Sequence, residues 1–292
     1  MNKIVILGCE NSHADAFIEC VQKRPEFSDI EVVGVYSDEI EAAQKLNTKF
    51  GVPVMASYDE AVGKVDGVIV TARHGAKHYA FAKPYIDSGV TFFIDKPVTI
   101  DEDEAVEFMT LLKEKNVKVT GGSSLRHAFG VRDIKLAQQR QVGGRTVGGI
   151  ARAPLSSENP HGGFFFYSAH LVEIVLEGFG RAPETVEVRI DSNKNRTVLF
   201  HYDTFTVTGL YTEGGSEYYG ARFAVTGSQG GYIAAGNIKE WYYDEFKEFV
   251  EIMRGGDMVL SYEELIAPVF VLAAIDRASQ SGQPEAVCYG EI

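Results

Sequence analysis

The chain has 292 residues, 28 Lys and Arg against 41 Asp and Glu, a formal net charge of −13, and a hydrophobic fraction of 45%. This size and composition suit a globular protein of one large or two ordinary domains with ample core, and the acidic balance argues against nucleic acid and anionic membranes as partners. No apolar stretch approaches the roughly 18 residues that span a bilayer, and Met1–Cys9 is too short for a signal peptide. Cys9, Cys20 and Cys288 have the spacing of neither a zinc site nor a disulfide framework, so reduced thiols and a cytoplasmic location are expected.

Strand and helix signals alternate from the start. Lys3–Gly8 is an apolar run that suits a strand buried on both faces. Ser12–Lys23 has helical spacing, with Ser12 as N-cap and Asp15 completing a capping-box-like start. Ile30–Tyr36 is the next strand, Glu39–Phe50 a helix closed by Gly51, and Gly67–Thr71 a strand. Ala76–Ser88 reads as a helix, Thr91–Asp95 as a strand, Asp101–Lys115 as a helix and Val117–Gly121 as a strand. Repeated β-α units with short connections require parallel pairing, hence a doubly wound sheet.

After Gly121-Gly122 the rhythm changes. Ala128–Gln141 reads as helical, Thr146–Ala153 as extended and Phe164–Glu177 as helical. Thr185–Ile190, Arg196–Tyr202, Thr204–Tyr211, Tyr218–Thr226 and Gly231–Ala235 follow as strands with tight connections, the pattern of an antiparallel sheet. Trp241–Met253 and Tyr262–Gln280 are closing helices. The expected fold is α/β: a Rossmann-type doubly wound parallel sheet over residues 1–122, then an α+β domain over 123–292 with a large, mostly antiparallel open sheet.

In a Rossmann fold the first strand leads into a G-x-G-x-x-G turn, whose glycines let the backbone approach a pyrophosphate at the helix N-terminus. Here the turn is Gly8-Cys9-Glu10-Asn11-Ser12-His13, with only the first glycine kept. Glu10 at the second position obstructs that approach, and a carboxylate ~4 Å from a phosphate charge costs about 4 kcal/mol at an effective dielectric of about 20. Either the turn, with Gly8, Glu10 and Asn11, holds a dinucleotide in a modified way, or it is a strand–turn–helix that binds nothing. At the end of the second strand Ser37 takes the position of the ribose-binding acid and Asp38 follows it, which favours NAD slightly over NADP; both residues also suit an N-cap of the next helix. Thr71 ends the third strand, and Arg73 and His74 follow it, where they would line the cofactor cleft. His74 and His78 are four apart, but no third ligand accompanies them and no metal is expected. His161-Gly162-Gly163 is not joined by any G-x-S-x-G, so a hydrolase reading has no support.

Asp95-Lys96-Pro97, following the order His78, helix, Gly89 and strand, resembles the Glu-Lys-Pro segment of the Gfo/Idh/MocA family of nicotinamide-dependent sugar and polyol oxidoreductases. Leu125-Arg126, the stretch from Gly162 to His170, Phe223–Gly231 and the final helix pair are similar to further family segments, so the resemblance covers nearly the whole chain. It implies NAD or NADP as cofactor, with His78, Asp95, Lys96 and Pro97 beside it. It makes Lys96 and His170 the catalytic pair, Lys96 polarising the reacting oxygen and His170 exchanging its proton. Arg126, His161, Phe166 and Tyr167 would join Lys96 and His170 around a small-molecule substrate, and a homo-oligomer, dimer or tetramer, is implied. The family's Asp, one helical turn before the His, is Phe166 here. The substrate is then less polar than a sugar, Tyr167 or another group substitutes, or the reaction is lost. A non-redox ligand-binding or regulatory protein on the same scaffold is the alternative reading.

Overall fold

A computed structural model describes residues 1–214, 222–235 and 241–292. Five parallel strands form the first sheet: β1 (Asn2–Leu7), β2 (Ile30–Tyr36), β3 (Gly67–Val70), β4 (Thr91–Asp95) and β5 (Val119–Gly122), in the order β2-β1-β3-β4-β5. Side chains alternate across the strands, so Ile4, Ile6, Ile69 and Phe93 enter one core and Val5, Leu7, Val68, Val70, Phe92 and Ile94 the other. The first face is covered by α1 (Ser12–Lys23), α2 (Ile40–Phe50) and α7 (Trp241–Met253), where Phe17 of α1 stacks on Phe246 of α7 with centroids 5.2 Å apart. The second is covered by α3 (His78–Ala82), α4 (Glu102–Glu114) and α8 (Tyr262–Ser281). Burying each of these large side chains contributes about 1.5–3 kcal/mol, which fixes the sheet beneath its loops. Thus α7, late in the chain, packs on the first sheet.

The second sheet has seven strands: β6 (Thr146–Leu155), β7 (Thr185–Ile190), β8 (Arg196–His201), β9 (Thr206–Glu213), β10 (Arg222–Gly227), β11 (Gly230–Ala235) and β12 (Glu285–Ala286). Their order is β11-β10-β6-β9-β8-β7-β12; among the described residues only β6 and β9 pair in parallel. The expected α/β fold with a mostly antiparallel second sheet is therefore present. Helices α5 (Phe129–Gln139), α6 (Phe164–Phe179) and α8 pack against it. A 3-10 turn over Ser124–His127 joins β5 to α5.

Two local expectations change. The N-cap of α1 is Asn11, not Ser12, because the Asn11 side chain accepts the His13 amide. The helix expected over 76–88 is a 3-10 turn, five residues of α3 and a second 3-10 turn, since Pro84 cannot continue the α-helical hydrogen bonding. Residues 218–221 of an expected strand lie outside the described residues, and the two-residue β12 carries too little pattern to be read.

Candidate active site

The order of the first sheet reverses at β1, and ligands of such sheets bind outside the carboxyl ends of the strands at that point. The turn after β1 is tied to its neighbours by side chains. Gly8 has φ +75°, and a Cβ there would run into the Ala72 backbone, so this glycine serves the close approach of the turn to the end of β3. Thr71 donates its hydroxyl to the Gly8 carbonyl at 3.1 Å. The Asn11 amide donates to the Thr71 carbonyl at 2.6 Å and to Asp95 Oδ2 at 3.1 Å.

Glu10 turns sideways. Its Oε2 accepts the Ser37 hydroxyl at 2.7 Å and its Oε1 the Arg73 backbone N–H at 2.9 Å. Two donors therefore hold the carboxylate at the ends of β2 and β3, rather than over the first turn of α1. Ser37 is buried and also accepts the Glu39 amide at 3.0 Å, the capping role open to it from sequence. Asp38 accepts from Tyr36 Oη at 2.8 Å and Lys77 Nζ at 2.6 Å, and the Lys77 ammonium holds its carboxyl below the ordinary range.

A cleft of about 750 Å³ opens beside this turn. Asn11, Ser12, Arg73 and Lys96 form its first-domain wall; His161, Phe166, Tyr167 and His170 face them from α6 and the loop before it; Trp241 and Tyr242 of α7 close a third side. Lys96 follows β4 directly, with its backbone N–H on Asp95 Oδ1 at 2.7 Å and a cis peptide to Pro97. Its Nζ lies 3.4 Å from the Phe166 carbonyl oxygen and 4.7 Å from the Phe166 ring centroid. His170 sits one helical turn beyond Phe166 on the same face of α6. Its Nδ1 is 2.7 Å from Ser123 Oγ. Burial, then the positive charges of Lys96 and His13, push its pKa well below the ordinary histidine value, so the imidazole is neutral at neutral pH. The two side chains singled out for proton chemistry line one cleft.

His13, at the third position of the glycine pattern, is buried between two carboxyls, with Nδ1 3.5 Å from Asp95 Oδ2 and Nε2 3.5 Å from Glu245 Oε2. Burial lowers the His13 pKa against the pull of Asp95, while burial and the Asp95 charge raise that of Glu245 well above the ordinary carboxyl range. Ser12 Oγ and Tyr242 Oη are 2.8 Å apart, tying α1 to α7 at the rim. Sequence reasoning did not place His13, Ser123, Trp241, Tyr242 or Glu245 at the site. Three belong to α7, whose return to the first sheet leaves no local signal.

Other expected site residues stand elsewhere. His78 is fully buried with Nδ1 2.9 Å from the Pro97 carbonyl and Nε2 2.8 Å from that of Ala72, so it braces the loops after β3 and β4 from beneath. Each ring nitrogen lies against a carbonyl and the single N–H of the neutral ring donates to one of them; His74 stands apart, its Nδ1 accepting the Ala76 amide at 3.3 Å. Among the described residues no group of three His, Cys, Asp or Glu is arranged to hold a metal. Arg126 turns away from the cleft: its guanidinium pairs with Glu248 at 2.5 Å and lines a separate cavity of about 290 Å³.

The donor set suits the dinucleotide that the resemblance implies. Arg73 lines the cleft beside the start of α1, and among the described residues nothing pairs with its guanidinium. A guanidinium next to a helix N-terminus suits phosphate. Lys96 and His170 both line this cleft.

Residues 2–123 match the sequence pattern of the oxidoreductase family with NAD-binding Rossmann fold known as Gfo/Idh/MocA. No curated protein sequence matches the chain. Among solved structures, a myo-inositol dehydrogenase of Corynebacterium glutamicum is 16% identical with a TM-score of 0.83, covering 99% of this chain and 100% of that one. The scyllo-inositol dehydrogenase of Lactobacillus casei, solved as the apo form, is 14% identical with a TM-score of 0.85 and covers 98% of each chain. GenD2 of gentamicin A biosynthesis, solved in complex with NAD, is 18% identical with a TM-score of 0.84, covering 98% of this chain and 96% of that one. At such identities the likeness establishes the shared fold. Residues 2–123 thus carry the pattern of the Gfo/Idh/MocA oxidoreductase family, and the whole chain shares the fold of these dehydrogenases.

Proposed function

We propose that the protein is an NAD(P)-dependent oxidoreductase acting on a hydroxyl or carbonyl group of a small sugar- or polyol-type molecule, with Lys96 and His170 handling the proton. The observation that carries this reading is that both side chains line one cleft at the carboxyl end of the Rossmann sheet. Glu10, Asn11 and Arg73 would hold the cofactor along the crevice, on a turn tied by Ser37 and Thr71 and over a loop braced by His78, Asp95 and Pro97. A nicotinamide dinucleotide bound there would supply the two-electron acceptor or donor.

The chain's own residues account for the rest. The Lys96 ammonium polarises the reacting oxygen and eases loss of its proton. His170, neutral at neutral pH, takes that proton in oxidation and returns it in reduction. The Ser123 hydroxyl can accept from Nδ1 or donate to it, so the 2.7 Å contact persists in either tautomer while the proton is exchanged at Nε2. Phe166, Tyr167 and Trp241 give the cleft apolar faces, which suit the C–H face of a ring better than a densely hydroxylated edge.

The alternative, a ligand-binding protein without redox chemistry, is favoured by the Phe166 ring standing over the Lys96 ammonium where the family has a carboxylate. Trp241, the single tryptophan of the chain, lines the cleft and separates the two by its fluorescence. Titration with NADH and with NADPH should quench it; no response to either at millimolar concentration overturns the dehydrogenase reading. Lys96→Ala should then abolish most turnover on a polyol panel while dinucleotide affinity changes much less. A cytoplasmic homo-oligomer is part of this reading; Ile150 and Ile190, 38% and 49% exposed on the second sheet, are apolar side chains that a partner would cover.

A further inference from the structure

Resting on that reading, we infer that Glu10 is the specificity residue of the dinucleotide site: it replaces the acid normally carried at the end of β2, binds the adenosine ribose hydroxyls and selects NAD against NADP.

In the Rossmann pattern this acid stands at the end of the second strand, and a 2′-phosphate needs a cation or neutral donor in its place. Here that strand ends at Ser37 and Asp38. Ser37 is 4% exposed and already both donates, to Glu10, and accepts, from the Glu39 amide. Asp38 is occupied by Tyr36 and Lys77. The carboxylate delivered beside Ser37 comes instead from the turn after β1. Glu10 is held by one donor on each oxygen, Ser37 Oγ at 2.7 Å from the β2 side and Arg73 N at 2.9 Å from the β3 side. A carboxylate offers about four acceptor positions, so two donors leave room for two vicinal hydroxyls. Glu10 is only partly buried, beside Asn11 and Arg73 of the cleft wall. A 2′-phosphate would meet the Glu10 carboxylate with Asp38 near it, and like charges in a half-buried crevice repel strongly.

The substitution that breaks the glycine pattern and the missing acid at the end of β2 thereby become one change: the acid has moved from one strand end to the adjacent turn, and the hydrogen bonds to Ser37 and Arg73 fix it there.

The test measures NADH and NADPH dissociation constants by Trp241 quenching for the native protein, Glu10→Gln and Glu10→Ala, each checked for an unchanged circular dichroism spectrum. Glu10→Gln keeps the length of the side chain and removes the charge. The native protein should prefer NADH by about tenfold or more, and both variants should cut that preference by about tenfold, through weaker NADH and tighter NADPH binding. A preference unchanged within about twofold in both variants overturns the inference and leaves the dehydrogenase reading standing. Glu10→Ala tightening both ligands equally also overturns it, because Glu10 would then obstruct the crevice. A native protein that binds neither ligand overturns the inference and the dehydrogenase reading together.

Discussion

Lys96 and Phe166 meet across the cleft, the ammonium 4.7 Å from the ring centroid and 3.4 Å from the carbonyl oxygen of the same residue. The loop after β4 and helix α6 therefore touch at the atom to which we assign the chemistry. An aromatic face attracts a cation by about 0.5–2 kcal/mol, depending on how far the pair is desolvated. The ring keeps Nζ oriented without neutralising it. A carboxylate one turn before His170, as the family pattern has it, would pair the ammonium instead. The substitution thus exchanges a polar anchor for an orienting apolar wall.

Phe166→Leu preserves the apolar character of this wall and removes the ring. With the cation–π contribution lost, kcat/KM on the best polyol should fall about 2- to 30-fold, while the NADH dissociation constant stays within about twofold. Steady-state kinetics and Trp241 quenching check the two halves separately. An unchanged kcat/KM would show that the ring does not position the ammonium.

His170 is pushed well below the ordinary histidine value of 6.5, first by burial and then by the charges of Lys96 and His13. A base so placed remains unprotonated through pH 6.5, so the acid limb of kcat/KM for oxidation should lie below that value. Lys96→Met removes one of the two charges, and the His170 pKa should move upward, towards 6.5. An NMR titration of the ring protons reads this shift even where turnover is lost. A pKa that does not move places the ammonium too far from the imidazole for joint proton handling.

The sequence made the Rossmann half legible because its strands are buried on both faces and read as continuous apolar runs; Thr91–Asp95 emerges with the bounds expected. Lys96 and His170 were singled out by their positions relative to a strand end and a helix, and both line the cleft. Glu10 was legible as a defect, but the direction of its carboxylate was not, because Ser37 and Arg73 reach it from 27 and 63 residues away. The Asp95–His13–Glu245 cluster was hidden for the same reason, since Glu245 arrives on α7 from far along the chain. The one error of element type, over residues 76–88, arose from apolar spacing that Pro84 overrides.

His78 gives a prediction about stability. Its ring bridges the carbonyls of Ala72 and Pro97 at 2.8 and 2.9 Å in a fully buried setting. The neutral ring, its pKa lowered by burial, carries one N–H and donates to one of these carbonyls; His78→Leu leaves that buried acceptor without its donor and urea unfolding should show a loss of roughly 1–3 kcal/mol. His78→Gln, which restores a donor, should recover most of it. A leucine variant as stable as the native protein would show that the ring does not brace these loops.

Glu245 supplies a pH-dependent counterpart. Burial, reinforced by Asp95, raises its pKa in the folded protein well above the ordinary carboxyl value of 4.5. The unfolded chain releases this proton as pH rises past about 4.5, while the folded chain retains it. The stability attached to the protonated carboxyl is therefore present below about pH 4.5 and lost progressively as pH rises towards the folded pKa. Glutamine imitates the neutral carboxyl at every pH. Glu245→Gln should leave the melting temperature nearly unchanged near pH 4.5 and raise it near pH 8, by roughly 2–4 °C per kcal/mol gained. His13, whose pKa burial lowers, opposes this on the acid side: its contribution is present above about pH 6.5 and lost as pH falls. That acid-side loss should persist in Glu245→Gln, so only the alkaline side of the stability profile should flatten. A glutamine variant destabilised equally at both ends would mean that the carboxyl is ionised in the folded protein and that His13 carries the balancing charge.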